Sequence, residues 1–160
     1  MIFIGNGGHA KVCRTLGNRS GLDSDVVIAI GNNCDRKHEA EARPNVRFAI
    51  LKHRLSYSEL AREIGEGTVI MAGVIIQPGV RIGKHVILNT GCTIDHDCVI
   101  EDYAHIAPGA HLCGNVRVGE GALVVLCGRP FAELLQDVRV EGFEPIDKVR
   151  AARLAHLPQG

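Results

Sequence analysis

The sequence predicts a parallel β-helix built from hexapeptide repeats, preceded by a small α/β unit. Three observations predict it. Read in steps of six, residues Ile64 to Val124 give one aliphatic column: Ile64, Ile70, Ile76, Ile82, Leu88, Ile94, Ile100, Ile106, Leu112, Val118 and Val124. Four places further on in each repeat runs a column of small residues: Thr68, Val74, Val80, Val86, Cys92, Cys98, Ala104, Ala110, Val116 and Ala122. Ahead of the repeat, two short apolar runs, Ile2-Phe3-Ile4 and Val26-Val27-Ile28-Ala29-Ile30, flank a glycine-rich turn and a helical start. A helix repeats every 3.6 residues and an ordinary strand every 2, so neither explains a sustained period of six. Stacked coils do, with three hexads to a coil and both columns turned into one continuous core.

Composition narrows the classes. The 160 residues carry 18 Lys and Arg against 18 Asp and Glu, a formal net charge of zero. Such a balance offers no field to steer nucleic acid or to hold an anionic membrane surface. No apolar run has the length of a membrane span and no signal segment opens the chain, so a cytoplasmic location is expected. The six cysteines include no C-x-x-C pair. Cys92 and Cys98 fall in the small inward column and are expected to fill space there, rather than to bind metal or form disulfides.

In chain order, Ile2-Phe3-Ile4 is expected as a strand. Gly5-Asn6-Gly7-Gly8-His9 follows as a turn, and Ala10-Lys11-Val12-Cys13 begins a helix. Unpaired N–H groups at that helix start, bare of side chains at Gly7 and Gly8, suit a phosphate; a tight turn that merely needs glycine is the alternative. The second apolar run ends in Gly31-Asn32-Asn33, and the two strands with their helix make a minimal parallel βαβ unit. Ligands of such sheets lie beyond the carboxyl ends of the strands, where both glycine turns fall. Cys34 to Arg43 reads as a short surface helix. Val46-Arg47-Phe48-Ala49-Ile50 and an amphipathic Tyr57–Ile64 stretch then lead into the repeat.

Inside the repeat, positions one coil apart stack at strand spacing. The inward columns leave Asn89, Asp95, His96, Asp97 and His105 on the outer surface. Gly114 lies one coil after His96 and beside it. A backbone N–H next to an imidazole flanked by carboxylates can move a proton and steady an oxyanion. A neighbouring acid would orient the ring and raise its basicity. Outward polarity at turns is the plain alternative, and His38, His53, His85 and His111 are read that way.

The chain resembles the hexapeptide acyltransferases that acetylate nucleotide-linked sugars. That group includes the PglD-type UDP-amino-sugar N-acetyltransferases and the NeuD-type sialic acid O-acetyltransferases. The likeness rests on Phe3 to Lys11, on Ala29-Ile30-Gly31-Asn32-Asn33, and on the block from Gly65 to Leu123. Its most specific parts are Ile87-Leu88-Asn89-Thr90, Ile94-Asp95-His96-Asp97-Cys98-Val99-Ile100 and Cys113-Gly114-Asn115-Val116. The resemblance implies a left-handed parallel β-helix preceded by an abbreviated Rossmann-like α/β domain. The divisions expected are residues 1–60 for the α/β domain, 61–125 for the β-helix and 126–160 for a non-repeat segment.

The resemblance further implies that His96 is the general base for attack of a sugar amine or hydroxyl on acetyl-CoA. Asp97, where the family commonly has Glu, would polarise it. Asn89 and His105 match positions lining the acetyl and sugar site, and Gly114 matches a backbone N–H donor to the thioester carbonyl. Gly7, Gly8 and His9 match the nucleotide-phosphate loop, with Asn32 at the second strand end. A homotrimer is implied, with sites between neighbouring β-helices, a direct transfer without covalent intermediate, and no metal.

Two departures stand out. The family's N-terminal domain has a further strand ending in an acidic tip, for which Gly17 to Asp25 leaves no room. The repeat also ends at Val125-Leu126-Cys127-Gly128-Arg129-Pro130, where the family continues with coils that form much of the CoA groove. Residues 126–160 are expected to be either a capping segment or a frame-changed tail, with Ile146 to Leu157 resembling a basic amphipathic helix. Two further readings stay open: a non-catalytic sugar-nucleotide-binding or scaffold relative, and a γ-type carbonic anhydrase-like protein.

Overall fold

The computed structural model describes residues 2–17 and 26–125. The expected cap or aberrant tail at 126–160, with its helix at Ile146 to Leu157, and most of the abbreviated segment between Gly17 and Asp25 lie outside the described residues.

The chain opens with β1 (Ile2–Ile4), α1 (Gly8–Gly17), β2 (Val26–Ile28) and α2 (Asn33–Glu41). β1 and β2 pair in parallel, with Phe3 opposite Val27. Phe48 adds a parallel bridge to Val26 on the other side, so the Val46–Ile50 stretch extends the same small sheet. α1 turns Ala10, Cys13 and Leu16 into the core, the spacing of one helical face. Between β1 and α1, Gly5 adopts φ 120, and a Cβ there would stand 2.7 Å from the Ala29 carbonyl oxygen. Only glycine lets the turn pass so close to the end of β2. At the other strand end Asn32 caps α2, its Oδ1 accepting from Asp35 N–H at 3.0 Å.

The repeat then winds through eleven two-residue strands after an entry strand, β3 (Leu51–Lys52). In order they are β4 (Glu63–Ile64), β5 (Val69–Ile70), β6 (Ile75–Ile76) and β7 (Arg81–Ile82). Next come β8 (Ile87–Leu88), β9 (Thr93–Ile94), β10 (Val99–Ile100) and β11 (His105–Ile106). β12 (His111–Leu112), β13 (Arg117–Val118) and β14 (Leu123–Val124) complete the series. Every third strand pairs in parallel, giving sheets β4-β7-β10-β13, β3-β5-β8-β11-β14 and β6-β9-β12. This is a parallel β-solenoid with three faces, as the period of six requires. Ile70, Leu88, Ile106 and Val124 stack in one register, 18 residues apart. From Ile70 to Ile106 the aliphatic column is buried throughout, and so is the small column from Thr68 to Ala110.

Solenoid pairing starts ahead of the expected boundary at residue 61. β3 pairs with β5, and Tyr57 bridges Ile75, so the Tyr57–Ile64 stretch is part of the first coil. The aliphatic column is interrupted at these positions, which hid that coil from the period.

Each hexad also turns on one left-handed residue. Gly67, Gly73, Gly79, Gly91, Gly109 and Gly121 fill that place, and His85, Asp97, Tyr103 and Asn115 fill it elsewhere, with φ between 53 and 61. A side chain there costs about 1–2 kcal/mol of backbone energy. The four exceptions therefore mark places where a side chain at the corner is of use.

His85 corrects one expectation. Its sequence position predicts an outward polar turn residue, yet it is only 4% exposed. The α/β unit docks on this corner. Phe48 meets the His85 ring edge-on at 4.6 Å, and Tyr103 stacks parallel to it at 5.4 Å.

Candidate active site

Two groups of candidate residues occupy different parts of the solenoid. The first lies on the turn between β9 and β10. Asp95 Oδ1 accepts the His96 main-chain N–H at 2.8 Å, which shapes the turn. Asp97, in the left-handed region at φ 58, brings Oδ2 to 2.9 Å from His96 Nδ1. The Asp97 hydrogen bond, with the negative charge of Asp95 behind it, raises the His96 pKa above its ordinary value. The far side of the ring faces Gly114: a Cβ at that position would lie 2.5 Å from His96 Nε2. Asn115 N–H donates to the His96 carbonyl at 2.9 Å, which holds the two turns in stack. The His96 side chain is 55% exposed.

Asn89, His105 and His9 form the second group. Asn89 and His105 were expected on the outer surface; both are half-buried, because the α/β unit covers this part of the solenoid. Asn89 Nδ2 and His105 Nε2 are 3.1 Å apart. The His9 ring, at the start of α1, lies 6.5 Å from that of His105. His9 Nε2 also sits 3.4 Å from the Cys13 thiol one helical turn on. Burial, reinforced by the Arg36 guanidinium, lowers both histidines to about 4. Both are thus neutral at neutral pH. The buried thiol of Cys13 is pushed up to about 12 and stays protonated.

Gly7 and Gly8 are exposed, and added Cβ atoms there would meet nothing within 4 Å. Both lie at the α1 N-terminus, at this edge of the small sheet. Asn32 is exposed too, and its Oδ1 is occupied in capping α2. His96 stands on a turn leaving the β6-β9-β12 sheet, and His105 on the β8-β11-β14 sheet. One chain therefore holds its two groups on separate faces.

Sequence reasoning missed Arg36. It is 1% exposed, on α2, where a surface helix was expected. Its Nε donates to the His85 carbonyl (2.8 Å), Nη1 to those of Ile30 (3.1 Å) and Gly31 (3.2 Å), and Nη2 to that of Tyr103 (2.5 Å). Beside it, Asn33 Nδ2 donates to the Gly121 carbonyl at 2.8 Å. The two residues fasten the Gly31 turn to the solenoid. Main-chain acceptors leave no mark in a sequence; the Asn32-Asn33 cap was the only available sign that the helix begins there. Among the described residues no group of three His, Cys, Asp or Glu side chains is placed to hold a metal ion.

The period of six and the three-faced solenoid make this a hexapeptide-repeat protein. The family model for bacterial transferase hexapeptide (six repeats) matches residues 63–96. GDP-perosamine N-acetyltransferase of Escherichia coli O157:H7 is 31% identical over 105 residues, covering 61% of this chain and 48% of that protein. The chain thus spans about half the length of this curated relative. Among solved structures, the acetyltransferase domain of PglB from Neisseria gonorrhoeae FA1090, in complex with acetyl coenzyme A, superposes with a TM-score of 0.68. It is 32% identical, over 76% of this chain and 77% of that one. A mutant GDP-perosamine N-acetyltransferase from Caulobacter crescentus, in complex with CoA and GDP-perosamine, gives a TM-score of 0.67. It is 31% identical, over 76% of this chain and 75% of that one. The chain belongs to the hexapeptide-repeat family of sugar acetyltransferases.

Proposed function

We propose that this protein transfers the acetyl group of acetyl-CoA to a nucleotide-linked amino sugar, with His96 as general base. The observation that carries the reading is the setting of His96: a half-exposed ring with Nδ1 tied to Asp97 and Nε2 facing Gly114. His96 Nε2 takes a proton as the sugar amine attacks the thioester carbonyl. Asp97 stabilises the imidazolium that results, and the Gly114 N–H is the donor to the developing oxyanion. The tetrahedral intermediate then expels the CoA thiolate, which needs neither a covalent enzyme intermediate nor a metal.

The solenoid, a left-handed β-helix in this reading, supplies the acyl site from residues 61–125. The α/β unit of residues 1–60, Rossmann-like in this reading, holds the sugar nucleotide, its phosphates at Gly7, Gly8 and His9 and its approach flanked by Asn32. Asn89 and His105 line the passage between them. Their separation from His96 within one chain supports a homotrimer, in which His96 of one copy faces the second group of its neighbour. The two structural relatives with bound CoA ligands support the co-substrate, and the GDP-perosamine complex supports a nucleotide-linked acceptor. We take a UDP-linked 4-amino sugar as the first acceptor to test, in the cytoplasm, where nucleotide sugars are made.

The test is thiol release from acetyl-CoA with UDP- and GDP-linked 4-amino sugars, run beside His96→Ala. Turnover is expected to fall about 10²- to 10⁴-fold in the variant, the range for a general base. A wild type that binds a nucleotide sugar but neither binds nor turns over acetyl-CoA would sink this reading in favour of a binding-only relative.

A further inference from the structure

The corner residues His85, Tyr103 and Gly121 follow one another at intervals of 18, one coil above the next, and all three are in the left-handed region. At each corner the main-chain N–H serves the solenoid itself, donating to the carbonyls of Glu66, Lys84 and Asp102 at 2.8 to 2.9 Å. The corner carbonyls serve α2. Arg36 Nε donates to that of His85 (2.8 Å), Arg36 Nη2 to that of Tyr103 (2.5 Å) and Asn33 Nδ2 to that of Gly121 (2.8 Å). Asn33 and Arg36 lie one turn apart on α2, so a single helix face spans three successive coils. Arg36 also fixes the Asn33 amide. Its Nη2 donates to Asn33 Oδ1 at 2.8 Å, and a guanidinium only donates, so the amide nitrogen is the end that meets the Gly121 carbonyl.

The same guanidinium reaches the end of β2. Its Nη1 donates to the carbonyls of Ile30 (3.1 Å), Gly31 (3.2 Å) and Asn32 (3.3 Å). That turn abuts α1, for a Cβ at Gly31 would lie 3.7 Å from the His9 Cβ. A continuous path thus runs from the solenoid corners through Arg36 and the Gly31 turn to His9. On the solenoid side, His105 comes two residues after Tyr103 and Asn89 four after His85.

We infer that Asn33 and Arg36 are a positioning pair that registers the nucleotide edge of the α/β unit on the corner column of the solenoid, and so sets where His9 stands relative to Asn89 and His105. Both act through the main chain they hold. The register stands on geometry alone; its part in nucleotide-sugar binding rests on the acetyltransferase reading.

Asn33→Asp tests it. The carboxylate still accepts from Arg36, and its charge favours the start of α2, but the donor to Gly121 becomes an acceptor that repels the carbonyl. The His9 and His105 rings, 6.5 Å apart, are expected to give a nuclear Overhauser contact in the wild type. That contact should weaken in the variant while those of the solenoid core are kept. In kinetics, KM for the nucleotide sugar is expected to rise about fivefold, the loss of one buried hydrogen bond, with KM for acetyl-CoA and the pH profile of kcat kept. A mere loss of folded protein lowers kcat and leaves both KM values. That outcome, or a ring contact equal in wild type and variant, overturns the inference. If the wild type turns over no nucleotide sugar, the acetyltransferase reading fails by itself, and the ring contact alone decides the register.

Discussion

Asp97 shows how much one residue is asked to do. It occupies the left-handed corner that six glycines fill in other hexads, and its carboxylate turns back onto His96 Nδ1. The same contact raises the His96 pKa, so the basic form should be lost on acidification through a value above the ordinary 6.5. Asp97→Asn removes the leading cause of that shift. The acid limb of the kcat/KM profile is then expected to move to lower pH while the plateau falls about tenfold or more. An unmoved limb would separate Asp97 from the titration. Gly114 makes a complementary case: Gly114→Ala puts a Cβ 2.5 Å from His96 Nε2 and must push the ring aside. Turnover should fall about a hundredfold, the effect of displacing a reacting group by roughly 1 Å. Because both turns are exposed, the melting temperature should hold. The stacking of Gly114 on His96 was legible in the sequence, since it follows from counting one coil. The left-handed role of Asp97 was not, because the column of glycines that reveals it is broken by four residues of unrelated chemistry.

At the level of elements, the strands of the solenoid were read from their columns with little loss, because burial repeats at a fixed interval and leaves its record in residue type. β3 escaped, since its coil is filled from Leu51 and Ser58 without the regular aliphatic spacing. α2 was expected as a surface helix, and its cap at Asn32 is where a cap belongs. Its role as a clamp stayed hidden, for Arg36 is a charged residue in a charged segment and its acceptors are mostly carbonyls on other elements. Arg36→Lys keeps the charge but offers one nitrogen in place of three. Several buried carbonyls would lose a donor, and stability should drop by about 3 kcal/mol. Urea unfolding measures the loss. Limited proteolysis should show early cleavage between α2 and β3; resistance equal to the wild type would argue that α2 is held by other contacts.

Across the whole molecule, the α/β unit and the solenoid meet over a seam that contains His9, His85 and His105, with Arg36 behind them. All three rings are held below their ordinary pKa, chiefly by burial, and His9 and His105 reach about 4. In the unfolded chain they take up protons near 6.5. The unfolded state therefore binds more protons over the interval between, and the folded state loses stability as pH falls from about 6.5 to about 4. Above 6.5 this contribution is fully present. His96 works in the opposite sense, but its ring is open to solvent and its share is small. Denaturation midpoints taken at pH 7.5, 5.5 and 4.5 should decline in that order, and a flat series would show the seam to be indifferent to protonation. The seam was illegible in the sequence because it joins residues far apart in the chain that share no period.

The coil has an integer consequence for how such a chain can change length in evolution. Its strands recur in register every 18 residues, so gains and losses fit only as whole coils. A coil duplicated anywhere before Asp95 or after Asn115 leaves His96 and Gly114 as vertical neighbours. One duplicated between them would preserve every column of the core and still lift Gly114 a storey out of reach. The chemistry thus sets a short interval in which the otherwise indifferent lattice is forbidden to grow.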